Sequence, residues 1–365
     1  MRLCCIFNLA AHYRTVIYKM IDEHFSPDFF IGDTVGSPMK TMDNNQLNGF
    51  KKILLHKNLL GPLYWQKGEV TLVFKPYKHF LMTGNPNCLS SWLLLFFARI
   101  LNKKTYLWTH GYYGDEKGLK LWLKNIFFSL GNKVFLYGDY AKNIMLEQGF
   151  SEKKLVPVYN SLDYDAQLSV RKKLSYTTIY KEKFKNDNPT IIYVGRIQKV
   201  KRIDLLVDAV DLLLRQGFRC NLVIVGKEVD YSISEKIQKQ GLSATVWQYG
   251  PCFDETVLGE LFYNASVCVS PGNIGLTAMH ALMYGTPCVT HNNFKNQMPE
   301  FEAIEDNVTG TFFKENDIDS LIDAIKKWCS ISVEERQIVR KKAYQIIDSK
   351  YNPYYQINVF RNAFL

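Results

Sequence analysis

The sequence predicts an α/β chain made of two doubly wound domains in tandem, each a parallel sheet covered by helices on both faces. Three observations predict it. Short apolar runs that read as strands alternate with segments of helical period. This alternation occurs twice, and a polar, Lys-rich stretch over 163–189 separates the two series. The strand-like runs lack polar alternation, as expected of strands buried on both faces. The boundaries that follow are an N-terminal domain over 1–165 and a linker over 166–189. A second domain covers 190–345, and a helical tail over 346–365 is expected to pack back toward the first domain.

In the N-terminal half, strands are expected at 2–7, 70–74, 79–82, 105–109, 133–137 and 155–159. Helices are expected from 16, at 89–101, at 119–130 and at 141–148. In the C-terminal half the alternation is cleaner. Strand 190–194 leads to helix 202–215, whose Ile203, Leu206, Val207, Val210 and Leu213 share one face. Strands follow at 221–225, 245–248 and 266–270. A helix over 276–284 is closed by Gly285, then comes a strand at 287–290, and the chain is mostly helical from 318. Two such domains place a ligand cleft at the carboxyl ends of their strands.

Composition narrows the function. A chain of 365 residues suffices for two ordinary domains, and 47% hydrophobic with 22% charged residues is a folded globular balance. The formal net charge is +10, and residues 1–165 hold 20 Lys and Arg against 13 Asp and Glu, or +7. A basic half favours anionic membrane, polyanion or phosphorylated substrate. No zinc finger or aromatic RNA-binding strand occurs, so no nucleic-acid partner is expected. Eight cysteines, none spaced C-x-x-C, read as buried thiols, and no metal site is expected. The apolar start over 1–11 is too short for an export signal. The longest apolar run, 92–101, contains Arg99 and falls far short of the ~20 residues of a membrane span. The expected location is cytoplasmic, with contact to the inner face of the cell membrane through the basic domain.

Several residues can carry chemistry. Gly195-Arg196 follows the 190–194 strand, with Lys201 five residues on. A glycine there lets the backbone approach a ligand, and two cations at a helix start can neutralise a diphosphate; two solvated surface cations are the plain alternative. The loop Ser270-Pro-Gly-Asn-Ile-Gly-Leu-Thr277 feeds a helix whose first amides suit a phosphate or sugar hydroxyls. His280 lies about one turn in, where a packed histidine is the ordinary reading. In the N-terminal half, Thr109-His110-Gly111, Thr83-Gly84-Asn85 and the segment Asn8 to Arg14, with His12, all sit at strand ends on one edge.

The C-terminal motifs recur together. Val194-Gly-Arg196, Lys201, Leu222-Val-Ile-Val-Gly226, Ser270-Pro, Gly275-Leu276, Ala281-Leu-Met-Tyr-Gly285-Thr-Pro287 and Pro299-Glu300 to Gly310 resemble the donor-binding domain of the family 4 glycosyltransferases of the GT-B fold. The resemblance covers 189–328. It implies two Rossmann-like domains facing across a cleft, a nucleotide-diphosphate-sugar as co-substrate, no cofactor, and a glycan or lipid-linked acceptor. It further implies that Arg196 and Lys201 hold the diphosphate, with Gly195 beside them. The amides around Gly275, Leu276 and Thr277 meet phosphate and sugar, and Glu300 lies near the nucleotide. His110 falls where similar enzymes place a histidine of the cleft, near donor sugar and phosphate. Asn8, His12, Arg14 and Thr83 are the expected acceptor contacts. Asp163-Tyr-Asp165 copies the metal motif of the other glycosyltransferase fold, but a metal is unneeded beside the Arg–Lys pair.

One departure stands out. The family usually carries two glutamates separated by seven residues, and the matching positions here are Gly272 and His280. Asn273 or backbone is then expected to meet the donor sugar, and His280 the ribose. A sugar-nucleotide epimerase of the same fold and a non-catalytic nucleotide-sugar binder stay open as alternatives to a retaining, metal-independent transferase of cell-surface polysaccharide synthesis.

Overall fold

The computed structural model describes residues 2–33, 40–229 and 232–364. The chain divides into two compact units, one formed by Met1–Asp163 with Asn352–Leu365, the other by Tyr164–Tyr351.

The first unit holds β1 (Leu3–Phe7), α1 (Thr15–Phe25), β2 (Asp28–Gly32), β3 (Phe50–Leu54), β4 (His56–Asn58), β5 (Tyr64–Gln66) and β6 (His79–Thr83). It continues through α2 (Leu89–Ile100), β7 (Lys104–Thr109), α3 (Gly118–Leu130), β8 (Lys133–Leu136), α4 (Asp139–Glu147) and β9 (Leu155–Pro157). Its seven strands run in the order β3-β2-β1-β6-β7-β8-β9, all parallel. The chain therefore reverses direction across the sheet between β1 and β6, the switch point at which open α/β sheets leave a crevice. β4 and β5 form a separate antiparallel hairpin inserted before β6.

The second unit opens with α5 (Tyr164–Arg171) and α6 (Ile179–Phe184), then β10 (Thr190–Val194), α7 (Ile203–Arg215), β11 (Asn221–Val225), α8 (Ser234–Lys239) and β12 (Val246–Gly250). After these come α9 (Glu255–Asn264), β13 (Val267–Ser270), α10 (Thr277–Met283), β14 (Cys288–His291), β15 (Gly310–Phe313), α11 (Ile318–Cys329) and α12 (Val333–Ser349). The sheet order is β12-β11-β10-β13-β14-β15, again parallel throughout, with its switch point between β10 and β13. α7 buries Ile203, Leu206, Val207, Val210 and Leu213 as its periodicity predicts. α12 begins with a capping box, Ser332 accepting from the Glu335 amide at 3.1 Å and Glu335 accepting from the Ser332 amide at 2.7 Å.

The last helix, α13 (Pro353–Phe364), belongs to the first unit. Phe360 packs edge-on to Trp108 and Phe135 at 5.2 and 4.9 Å. Fully buried Gln356 accepts from the Ser161 hydroxyl at 2.6 Å and donates to the Tyr159 carbonyl at 3.0 Å, locking the helix to the strand-end segment.

Three local readings differ from the sequence expectation. Residues 166–189 are not an open linker, since α5 and α6 pack in the second unit. Gln167 is buried there, and the Tyr180 hydroxyl donates to the Leu261 carbonyl at 2.5 Å. The apolar run 70–74 is a 3-10 helix rather than a strand. Glu69 just before it is wholly buried and accepts from Ser91 at 2.7 Å, so the run is pinned to α2 and no ladder takes it. β2 and β3 complete the sheet where no strand was expected. Among the described residues no helix is long and apolar enough to cross a membrane.

Candidate active site

In the second unit, β10 ends at Val194 and Gly195 follows with φ +149°, a conformation that side chains resist. A Cβ on Gly226 would lie 1.8 Å from the Gly195 carbonyl oxygen, so glycine lets the ends of β10 and β11 touch. Arg196 is exposed and forms no ion pair among the described residues. The Tyr193 hydroxyl holds its carbonyl at 2.9 Å. Lys201 closes a 3-10 turn and reaches the loop after β13, where Nζ donates to Asn273 O and Oδ1 at 2.7 and 2.6 Å. Burial, reinforced by the Arg196 charge and opposed by Glu300, pushes the Lys201 ammonium down to about 8. Glu300 is itself buried, in the 3-10 turn Pro299–Ala303.

Side chains cross-brace these loops. Thr277 Oγ1 donates to the Val194 carbonyl at 2.8 Å, fixing the start of α10 to the end of β10. Gln297 Nε2 donates to Thr290 Oγ1 and the His291 carbonyl at 2.8 and 3.0 Å, while its Oε1 accepts from the Ile274 amide at 2.9 Å. α10 opens at Leu276 without a side-chain cap, just after Gly275 at φ +53°. Two cations at a strand edge, on a braced loop frame, make a receptor for an anion with more than one charge.

In the first unit a cavity of about 990 Å³ opens at the carboxyl ends of β1, β6, β7 and β8. Asn8 and Thr83 meet there: the Asn8 amide donates to Thr83 Oγ1, which donates to Asn8 Oδ1, both at 3.2 Å. Arg14 donates through Nε to the Tyr13 hydroxyl at 3.2 Å and through its guanidinium to the Tyr137 hydroxyl. His110 lines the same cavity, its Nδ1 buried without a hydrogen-bond partner. Burial, with the Arg14 and Lys124 charges, holds its ring down to about 4, so it is a neutral imidazole at physiological pH. His12, expected beside Arg14, is exposed and lies outside the cavity lining. The 3-10 turn His12–Arg14 presents Tyr13 and Arg14 inward instead.

Comparison with known proteins identifies the second half. The family described as glycosyl transferases group 1 matches residues 177–346. The chain carries a group 1 glycosyltransferase domain. Glycogen synthase from Thermodesulfovibrio yellowstonii is 25% identical over 220 residues, 54% of this chain and 43% of that protein. Glycogen synthase from Thermus caldophilus is 25% identical over 165 residues, 43% of this chain and 35% of its own length. The matched part thus spans less than half of those relatives. Among solved structures, Anabaena Alr3699/HepE in complex with UDP superposes with a TM-score of 0.76 at 14% identity, covering 100% of this chain and 99% of the other. The lipopolysaccharide outer core galactosyltransferase WaaB gives 0.70 at 17% identity, with the same coverage. The fold is GT-B, with two Rossmann-like domains.

Within the group 1 domain the structure engages two residues differently from expectation. Asn273, expected at the donor sugar, spends its side-chain oxygen on Lys201. His280, expected at the ribose, stacks on Phe262 and sets Nε2 3.6 Å from Glu255 Oε1. Glu255 also accepts from the Tyr284 hydroxyl at 2.5 Å and from Gln167 Nε2 at 2.9 Å. Burial would raise this carboxyl, but His280, Tyr284 and Gln167 together bring it down to about 2. Sequence reasoning missed Glu255, which sits one residue after an ordinary N-cap aspartate and shows no motif. Gln297 was within reach, as the residue two before the Pro-Glu pair.

A test follows from the Glu255 contact. His280→Glu should destabilise the domain by about 1–3 kcal/mol at pH 8, because two carboxylates would face each other. A shared proton should restore part of this toward pH 5, and His280→Gln should show no such recovery. Thermal denaturation of both variants across that range checks it; an unperturbed melting temperature for the glutamate variant rejects the contact.

Proposed function

We propose that the chain transfers a sugar from a nucleotide diphosphate sugar to a glycan or lipid-linked acceptor, retaining configuration and using no divalent metal. The reading extends to cell-surface polysaccharide synthesis at the cytoplasmic face of the membrane, in line with the basic N-terminal half. The observation that carries it is the Arg196–Lys201 pair on the braced strand-end loops of a group 1 glycosyltransferase domain. As the bond from sugar to diphosphate breaks, negative charge builds on the leaving group. Lys201, already held by Asn273, and Arg196 beside it can stabilise that charge. They supply what a metal ion supplies in other transferases. Neutral His110 can donate a hydrogen bond to one hydroxyl and accept one from another. Since Alr3699/HepE was crystallised with UDP and with UDP-glucose, uridine nucleotides are the first to try.

Arg196→Ala should weaken UDP binding by roughly 1.5–3 kcal/mol, the loss of a charged hydrogen bond to phosphate. Calorimetry measures this, and unchanged affinity sinks the assignment. Turnover of a UDP-sugar panel should persist in excess chelator. Chelator-abolished turnover restored by magnesium or manganese would instead bring Asp163 and Asp165 into the reaction. Epimer interconversion without an acceptor would select the epimerase reading, and nucleotide binding without donor consumption the binding-protein reading.

A further inference from the structure

The cavity of the first unit is lined by two kinds of chemistry. One is the cation Arg14. The rings of Trp108 and Tyr137 each lie 4.9 Å from its guanidinium carbon, and Tyr13 lies 5.5 Å away. Its side-chain hydrogen bonds go to tyrosine hydroxyls, and among the described residues it forms no ion pair. A half-buried cation lacking a carboxylate leaves its charge to be balanced by whatever enters. Lys124, at the same cavity, differs: it is already paired with the buried Glu116 carboxylate at 2.5 Å. The buried, unpartnered Nδ1 of His110 adds a second polar atom lacking its complement.

Much of the remaining lining is hydrocarbon. Leu89 and Trp92 from α2 and Leu119, Leu123 and Phe128 from α3 contribute it, with Leu63. This lining continues out onto the surface rather than closing. Leu119 is 69% exposed and Leu123 40%, and neighbouring Trp122 is 57% exposed. Apolar groups in solvent along a cavity mouth mark a contact with an apolar ligand. Lys117 and Lys120 flank them, both exposed. A volume near 990 Å³ lies at the upper end of ordinary ligand pockets, which bury a molecule of roughly drug size or above.

We infer that this cavity binds a single anionic amphiphile, its phosphate head at Arg14 and its hydrocarbon chain leaving between α2 and α3 over Leu119 and Leu123. A glycan alone would use the polar groups and leave the leucines bare. Inorganic phosphate would use Arg14 and nothing else. A phosphate-headed lipid matches both kinds of lining. The inference rests on the reading of this edge as the acceptor side of a transferase and selects the lipid-linked class of acceptor over the free glycan. Its test uses no sugar nucleotide, so the two readings fail separately.

The full chain is titrated with monododecyl phosphate below its micelle concentration, with dodecyl maltoside and with inorganic phosphate. Trp92 and Trp108 line the cavity and report through their fluorescence. Dodecyl phosphate should bind saturably, and inorganic phosphate about a hundredfold more weakly or worse. Arg14→Gln should weaken dodecyl phosphate about tenfold or more while leaving the maltoside unchanged. Leu119→Asp, at a site too exposed to endanger folding, should weaken both chain-bearing probes. Three results overturn the inference. They are equal binding of inorganic and dodecyl phosphate, no difference between Arg14→Gln and wild type, and adsorption to anionic vesicles with no binding of the monomeric probe.

Discussion

UDP affinity should fall as pH rises from 7.5 to 9.5, and Lys201 should be the reason. Its ammonium is pushed down to about 8, first by burial and then by Arg196, with Glu300 pulling the other way. The group is therefore charged at neutral pH and loses its proton across this window. The diphosphate favours the charged form, so binding must raise the Lys201 pKa and take up a fraction of a proton near pH 8. The ligand's own secondary phosphate titrates near 6 and is already ionised throughout. Affinity should weaken by up to about tenfold per pH unit above the free-protein value, the limit for one linked proton. Calorimetry in two buffers of different ionisation heat would show the uptake. Lys201→Met should lose roughly 1.5–3 kcal/mol of UDP affinity and with it the pH dependence above 7.5. A flat affinity profile in the wild type, or one that survives in Lys201→Met, would remove Lys201 from the diphosphate. Asn273→Ala gives a finer check. Asn273 Oδ1 accepts from Nζ at 2.6 Å while the Asn273 carbonyl keeps its own bond to Nζ, so the substitution should loosen the lysine and weaken UDP less than Lys201→Met does.

How much of this was legible in the sequence depends on the range of the contacts. β10, β11, β13 and β14 stood out because strands buried on both faces read as unbroken apolar runs. Gly195, Arg196 and Lys201 were legible too, since a glycine at a strand end and two cations beside it lie within seven residues. The hairpin of β4 and β5 was not, because its three-residue strands carry no period to read. α5 and α6 were hidden because they are short and polar, with only Gln167 and Tyr180 fully buried among their residues. The contact of His280 with Glu255 was not legible, because the two lie on different helices, 25 residues apart. Arg14 and His110 were singled out as separate strand-end residues. That they share one cavity with α2 and α3 follows from the β1–β6 switch point, which no local pattern states.

The glycine at 272 should resist conversion to glutamate. The loop after β13 lies directly on the turn that carries Lys201. The Gly272 amide donates to the Lys201 carbonyl at 3.0 Å, and the Gly272 carbonyl accepts from Thr290 Oγ1 at 3.1 Å. A Cβ at this position would stand 2.0 Å from the Val200 carbonyl oxygen and 2.7 and 2.8 Å from Lys201 Cα and C. All three are backbone atoms, so no side-chain rotation relieves the clash. The loop and the turn would have to part. Overpacking of this kind costs about 1–3 kcal/mol and sometimes more. In a domain of this size each kcal/mol lowers the melting temperature by roughly 2–4 °C. Gly272→Ala should already show a loss, which separates the steric cause from the added charge. Gly272→Glu should lose more, and UDP affinity should drop with it because the displaced turn carries Lys201. Asn273→Ala makes a good control, since it removes a side-chain hydrogen bond to Lys201 without a clash and leaves the Gly272 backbone contact in place, so it should spare the melting temperature. A Gly272→Glu protein with unchanged melting temperature and higher turnover would mean that the loop adapts to a carboxylate. In that case the glycine would be a simple loss rather than a requirement of the backbone contact.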